Sequence, residues 1–275
     1  MNDSQRFLAF QSIGRRIAKD SKLIRHWPLT GGVSASIDAL ELEMPDGMRS
    51  SFVVRRAGEQ QWKDQADNTI ENEFELQRVL YLKGLPVAEQ ILLDNTCKIL
   101  PTPYAVMTMV DGSTEVPAQK VESAAVDMAD FLLRLHQLDP ESISVPDLPQ
   151  REDPVAGALQ YVPDTQEWSA LRKTIASWQT TTLPASILHG DFWPGNVIWE
   201  NDEIAAVIDW EDAAFGTPVS DVACCRAEVM AMYGQQAMTL FTDHYLSQST
   251  LDFSDQPLWD AYCGFAALAT MHSWG

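Results

Sequence analysis

The stretch that most limits what this chain can fold into runs from Ile187 to Ala223, ILHGDFWPGNVIWENDEIAAVIDWEDAAFGTPVSDVA. Asn196-Val-Ile-Trp199 and Ile204-Ala-Ala-Val-Ile208 are short, apolar and rich in β-branched residues, as strands require, and the polar turn Glu200-Asn-Asp-Glu203 joins them. Paired across that turn, position 199 faces 204, and so 196 faces about 207. Asn196 and Asp209 then share the open end of a hairpin, and Asp191 enters the same end from the loop before it. Two carboxylates and a carboxamide at one mouth suit a hard divalent cation.

Magnesium takes oxygen ligands, keeps several waters and uses only one or two carboxylates beside substrate phosphates. Phosphoryl transfer needs such a cation, and a carboxylate that orients the attacking hydroxyl and accepts its proton. The order Asp, Asn five residues on, then Asp after a hairpin is that of the kinase catalytic loop and the metal-binding aspartate behind it. Protein kinases read HRDxxxxN and DFG at these places. The words here, HGDxxxxN and IDWE, resemble instead the aminoglycoside phosphotransferase and choline kinase family of small-molecule kinases. The resemblance implies an α+β, bilobal, protein-kinase-like fold that uses ATP and Mg2+. Its N-lobe, residues 1–110, would be a small antiparallel sheet with one helix, and its C-lobe, residues 111–275, mostly helical. Asp191 would be the catalytic base, and Asn196 and Asp209 the magnesium ligands. His189 is expected to prop the loop, and Asp221, after Gly216-Thr-Pro218, to brace it or cap a helix.

Earlier in the chain, Phe7, Phe10, Ile13 and Ile17 recur at helical spacing. A glycine pair follows in Leu29-Thr-Gly-Gly-Val-Ser-Ala-Ser36, then an alternating run from Ile37 to Met44, a turn at Pro45-Asp-Gly47 and the run Ser51-Phe-Val-Val-Arg55. Glycines ahead of a strand let backbone N–H groups approach phosphate oxygens. Neither a Walker A loop nor a full GxGxxG is present, so this signal draws its weight from its place before the HGD stretch. In the resemblance, Gly31, Gly32 and Ser34 lie over the nucleotide phosphates, and Arg55 replaces the usual lysine with a planar fork. Arg56 should point to the opposite face. A helix is expected over 67–82, stopped by Gly84 and Pro86, and the resemblance pairs its Glu73 with Arg55. Ile91-Leu-Leu93 and 104–110 read as the last strands of the first lobe, with a hinge at Val110-Asp-Gly112. There the backbone of Thr108 and Val110 would line the adenine. Helices are expected over 121–138, 168–178, 222–238, 241–246 and 258–271, and 140–165 reads as a long connection. The resemblance makes His136, in LLRLHQLDP, a core or capping histidine.

Charge separates the two halves. Residues 1–110 hold 13 Lys and Arg against 14 Asp and Glu, while the remainder holds 6 against 25, giving a net charge of −20. A nucleic-acid partner would need a basic footprint, so none is expected. An acidic lobe would draw a cationic small-molecule acceptor by long-range steering, although acidic surfaces also simply keep proteins dissolved. Trp193, Glu211 and Asp212 are the candidates to touch that acceptor. Four cysteines without a CxxC pair, and no apolar leader or bilayer-length run, point to a reducing, cytoplasmic setting with no membrane partner. Five scattered histidines argue against a transition-metal site. No GxSxG elbow occurs, which removes a serine hydrolase. Two other readings stay open: a catalytically silent kinase-like binder, and a metal-dependent hydrolase using His189 and Asp191. Chains of this family commonly continue for one or more helices past the point that matches Gly275, so either a shorter branch or a longer parent chain is expected.

Overall fold

A computed structural model describes residues 2–29, 35–57, 69–140, 148–180 and 184–270. They form two compact units. The first gathers the described residues up to Asp111 together with Ala206–Glu211, and the second gathers the rest.

In the first unit, helix α1 (Asp3–Ile17) begins at a capping box in which Asn2 and Gln5 bond each other's backbone N–H. Strands β1 (Lys22–Pro28), β2 (Ala35–Glu43), β3 (Arg49–Ala57), β4 (Gln90–Asp94) and β5 (Tyr104–Thr108) make one antiparallel sheet in the order β1-β2-β3-β5-β4. Phe10 and Ile13 of α1 are fully buried in a core with Leu40, Leu42, Val54, Tyr104 and Val106. Helix α2 (Ile70–Leu82) starts at the Thr69 cap and packs beside β4 and β5. The expected helix start at 67 lies outside the described residues. Strand β1 had no clear sequence signal: it is an edge strand, bulged between Leu23 and Arg25, and Leu23 is its one buried residue. Such an edge carries little alternation to read.

In the second unit, helices α3 (Val121–His136), α4 (Pro154–Tyr161), α5 (Ser169–Ala176), α6 (Pro218–Tyr233), α7 (Gln235–Gln248) and α8 (Gln256–Thr270) surround two short strands, β6 (Ser186–Leu188) and β9 (Ala214–Gly216), which pair antiparallel. Helix α4 falls inside the stretch expected as a plain connection. Its start signal was present, with the Asp153 carboxylate accepting from Val155 and Ala156 N–H and Pro154 at the first helical position. Strands β7 (Val197–Glu200) and β8 (Glu203–Val207) form the expected two-stranded sheet. Its turn residues, Asn201 and Asp202, sit at φ 52° and 67°, the left-handed pair that a tight hairpin demands and that Asn and Asp tolerate best. Among the described residues no helix is long and apolar enough to cross a membrane.

Candidate active site

Within the first unit the polar centre is Arg55. Strand β3 turns Arg55 toward α2, where Nε bonds Glu73 Oε2 at 2.8 Å and Nη2 approaches Oε1 at 3.3 Å. Arg56 goes the other way, to Asp38 at 2.8 Å, as strand alternation requires. The segment after β8 adds two more acids to Arg55: Glu211 at 2.9 Å and Asp209 at 3.5 Å. Three carboxylates thus share one guanidinium. Burial works against the Arg55 charge, but Glu73, Asp209 and Glu211 more than offset it and raise its pKa. Burial also pushes the carboxyls of Glu73 and Asp209 up, against the pull of Arg55. Asp209 holds φ 66°, a left-handed conformation that is uncommon outside glycine and marks a constrained position. Its Oδ1, the oxygen nearest Arg55, is buried and accepts no hydrogen bond among the described residues.

Within the second unit the centre is the loop from His189 to Asn196. Gly190 has φ +86°, and a Cβ there would overlap the carbonyl oxygen of Asp212; this is why the loop reads HGD, with no larger residue in the middle. Asp221, one turn into α6, sits under the loop. Its Oδ2 accepts from His189 N–H at 2.7 Å and its Oδ1 from Gly190 N–H at 3.0 Å. Helix α6 starts at Thr217 and Pro218, so Asp221 braces the loop and does not cap the helix. His136 completes the brace, with Nε2 3.3 Å from Asp221 Oδ2 and Nδ1 2.7 Å from Tyr245 Oη. A carboxylate on Nε2 assigns the proton there, leaving Nδ1 to accept from the tyrosine. These bonds hold the Asp221 carboxyl below its ordinary pKa although burial opposes it. At the loop's far end, Asn196 Nδ2 donates to Asp191 O at 2.9 Å and to Asp191 Oδ2 at 3.2 Å. One carboxamide thereby fixes the orientation of the expected base. Among the described residues its own Oδ1 accepts no hydrogen bond. Trp193 lays its indole on Gly195, and Phe192 stacks on Phe131 at 5.2 Å.

A family model described as the phosphotransferase enzyme family matches residues 34–261. The chain belongs to that family. Acyl-CoA dehydrogenase family member 11 of Mus musculus is 28% identical over 173 residues, which cover 56% of this chain and 22% of that protein. The match spans about a fifth of the length of these curated relatives. Among solved structures, a macrolide 2′-phosphotransferase type I superposes with a TM-score of 0.68 at 18% identity, covering 100% of this chain and 94% of that one. An amicoumacin kinase solved with AMP-PNP and Ca2+ gives 0.62 at 14% identity, over 90% and 80%. Likenesses at this identity show the fold, which is α+β and protein-kinase-like. The resemblance to the aminoglycoside phosphotransferase and choline kinase family thus holds.

Of the residues expected at the site, Gly31, Gly32 and Ser34 lie outside the described residues. Thr108 ends β5 with its N–H bonded to Glu89 O at 2.9 Å, and Val110 lies two residues beyond, with no hydrogen bond to its backbone among the described residues. Glu211, expected near the acceptor, is an Arg55 partner. Asp212 meets the loop through its backbone at Gly190.

Toward a divalent cation, the second unit offers the Asn196 amide oxygen, and the first unit offers the Asp209 carboxylate that faces Arg55. Among the described residues no group of three or more His, Cys, Asp or Glu is arranged to hold a metal. The Asn196 and Asp209 oxygens are each a donor of the type that magnesium takes.

Proposed function

We propose that this phosphotransferase moves the γ-phosphoryl group of ATP to a hydroxyl of a small molecule. The observation that carries this reading is the Asn196 clamp on Asp191, which holds a carboxylate in the HGD loop for an incoming hydroxyl. In this reading Asp191 orients the hydroxyl and takes its proton as transfer proceeds. Arg55, steadied by Glu73, meets phosphate oxygens beneath the glycine loop of Gly31, Gly32 and Ser34, while backbone atoms of Thr108 and Val110 receive the adenine. Asn196 and Asp209 hold Mg2+, which when bound neutralises charge on the phosphates. Trp193 and Asp212 border the acceptor. The acidity of residues 111–275 would concentrate a cationic acceptor around the protein, but ions screen that attraction over about 8–10 Å. The four cysteines, all free in the structure, support a reducing cytoplasmic setting.

The test is ADP release from magnesium–ATP across a panel of hydroxyl acceptors, wild type beside Asp191→Ala. Acceptor-dependent turnover that falls by about 10²–10⁴ in the variant is expected. Turnover that survives the substitution overturns the assignment of Asp191.

One observation favours a second reading, a silent kinase-like nucleotide binder. Glu211 and Asp209 already occupy the Arg55 fork, so phosphate must displace at least Glu211. Nucleotide binding with no turnover on any acceptor supports that alternative.

A further inference from the structure

A cleft in the second unit shares no residue with the loop from His189 to Asn196. It has a volume of about 150 Å³, and it is lined by the segment Glu115-Val-Pro117, the start of α3 and the hairpin residues Trp199, Asn201 and Asp202. Local rules build these walls. Gly112 has φ +138°, and a Cβ there would come within 2.4 Å of the Trp199 carbonyl oxygen, so only glycine lets the chain run this close to β7. Ser113 then pairs with Trp199 in an antiparallel bridge, its N–H donating to Trp199 O at 3.0 Å and its O accepting from Trp199 N–H at 2.8 Å. The left-handed turn at Asn201 and Asp202 puts Asp202 Oδ2 3.1 Å from Lys120 Nζ.

Four ionisable side chains line the cleft, Glu115, Lys120, Asp127 and Asp202. Lys120 is engaged by Asp202, which leaves Glu115 and Asp127 with no ion pair among the described residues. Burial and Asp130 push the Asp127 carboxyl up, against the pull of His244, and Glu203 adds to the rise. His244 is itself bonded to Asp130 at 2.6 Å. A cleft whose uncompensated charge is all of one sign focuses its field on an incoming counter-ion. Trp199 adds a second and independent feature. It is 9% exposed, and its indole N–H is buried with no acceptor among the described residues. Buried indole N–H groups usually find a partner. Val116, Pro117 and Ala124 give the remaining lining an apolar character.

We infer that this cleft binds a small organic ammonium ion that also carries an oxygen acceptor. The positive charge goes to Asp127 and Glu115, the oxygen accepts from the Trp199 indole N–H, and the short carbon chain between them lies on the apolar lining. The volume suits a ligand of about six heavy atoms, the size of benzene. This site stands apart from the phosphotransfer reading, because none of its residues belongs to the machinery assigned there.

The test is a ligand titration of the full chain followed by proton–nitrogen correlation NMR, with the Trp199 indole resonance identified by its loss in Trp199→Phe. The probes are methoxyethylammonium, which has charge and an ether oxygen, butylammonium, which has charge alone, and dimethoxyethane, which has oxygen alone. None carries a hydroxyl, so none can act as a phosphoryl acceptor. Methoxyethylammonium should shift the Trp199 indole resonance saturably with a millimolar Kd, about tenfold more tightly than either other probe. Asp127→Asn should weaken that binding about tenfold while keeping the Tm of the wild type, and Glu115→Gln should weaken it less. Asp191→Asn should bind the probe as the wild type does. An indole resonance that does not move, an equal response to dimethoxyethane, or unchanged binding in Asp127→Asn overturns the inference. Binding lost in Asp191→Asn but kept in Asp127→Asn does so as well, since it moves the ligand to the HGD loop. Each of these failures leaves the phosphotransfer reading intact.

Discussion

Replacing Arg55 by alanine should be far more damaging than neutralising its first partner, and the difference should grow with pH. The Arg55 side chain is 11% exposed, Glu73 7%, Glu211 23% and Asp209 33%. Glu73 therefore has the least access to water when its cation is removed. Breaking a buried pair in this way costs about 3–5 kcal/mol. In Glu73→Gln the arginine keeps Glu211 and Asp209, and the new amide oxygen can still accept from Nε. That change should cost about 1–2 kcal/mol. The pH dependence follows from the raised carboxyls. Glu73 and Asp209 already titrate above their unfolded values, and losing Arg55 raises them further. A carboxyl raised in the folded state contributes stability that is present below its unfolded pKa, about 4.3, and is lost as pH rises through the folded pKa. Arg55→Ala should thus come closest to wild type near about pH 5 and fall furthest behind by about pH 8. There the deficit corresponds to a Tm loss on the order of 10 °C. Thermal denaturation of wild type, Arg55→Ala and Glu73→Gln across that range decides the matter. Equal losses in the two variants, or a gap that does not widen with pH, would refute the reasoning.

Two further substitutions probe the loop. Gly190→Ala combines a left-handed φ with overlap on the Asp212 carbonyl, so about 2–4 kcal/mol of stability should be lost. Displacing Asp191 should also lower kcat/KM by roughly 10²-fold with nucleotide binding kept, as measured by ADP release beside a binding titration. Asp221→Asn removes an acceptor from beneath His189 and Gly190 and should destabilise by about 2–3 kcal/mol. Because the Asp221 carboxyl is held low, its contribution is present above its unfolded pKa of about 3.9 and is lost as pH falls through the folded value. Acid denaturation of the variant should lack that component.

The parts of this protein that were legible in its sequence are those fixed by local rules. The hairpin could be read because Asn201 and Asp202 are turn residues between two β-branched runs, and strand alternation sends Arg55 and Arg56 to opposite faces, although only the family resemblance chose Arg55 for the site. The pairing of Glu73 with Arg55 came only from family resemblance, which the bond distances now match. What could not be read depends on contacts distant in sequence. Strand β1 is an edge whose pattern is mostly polar. The commitment of Glu211 to Arg55 joins positions 156 residues apart.

The first unit is discontinuous along the chain, and this has a consequence for how it can be cut. Residues 206–211 belong to it. Val207 N–H bonds Pro86 O at 2.8 Å, the Trp210 side chain is fully buried, and Asp209 and Glu211 sit on Arg55. A fragment ending near Asp111 would lose all of these at once, leaving Arg55 with Glu73 alone. Exchanging the sheet unit between relatives at that point would likewise pair one protein's arginine with another's acids. The workable unit of recombination is therefore the sheet together with the segment after the hairpin, supplied from one parent.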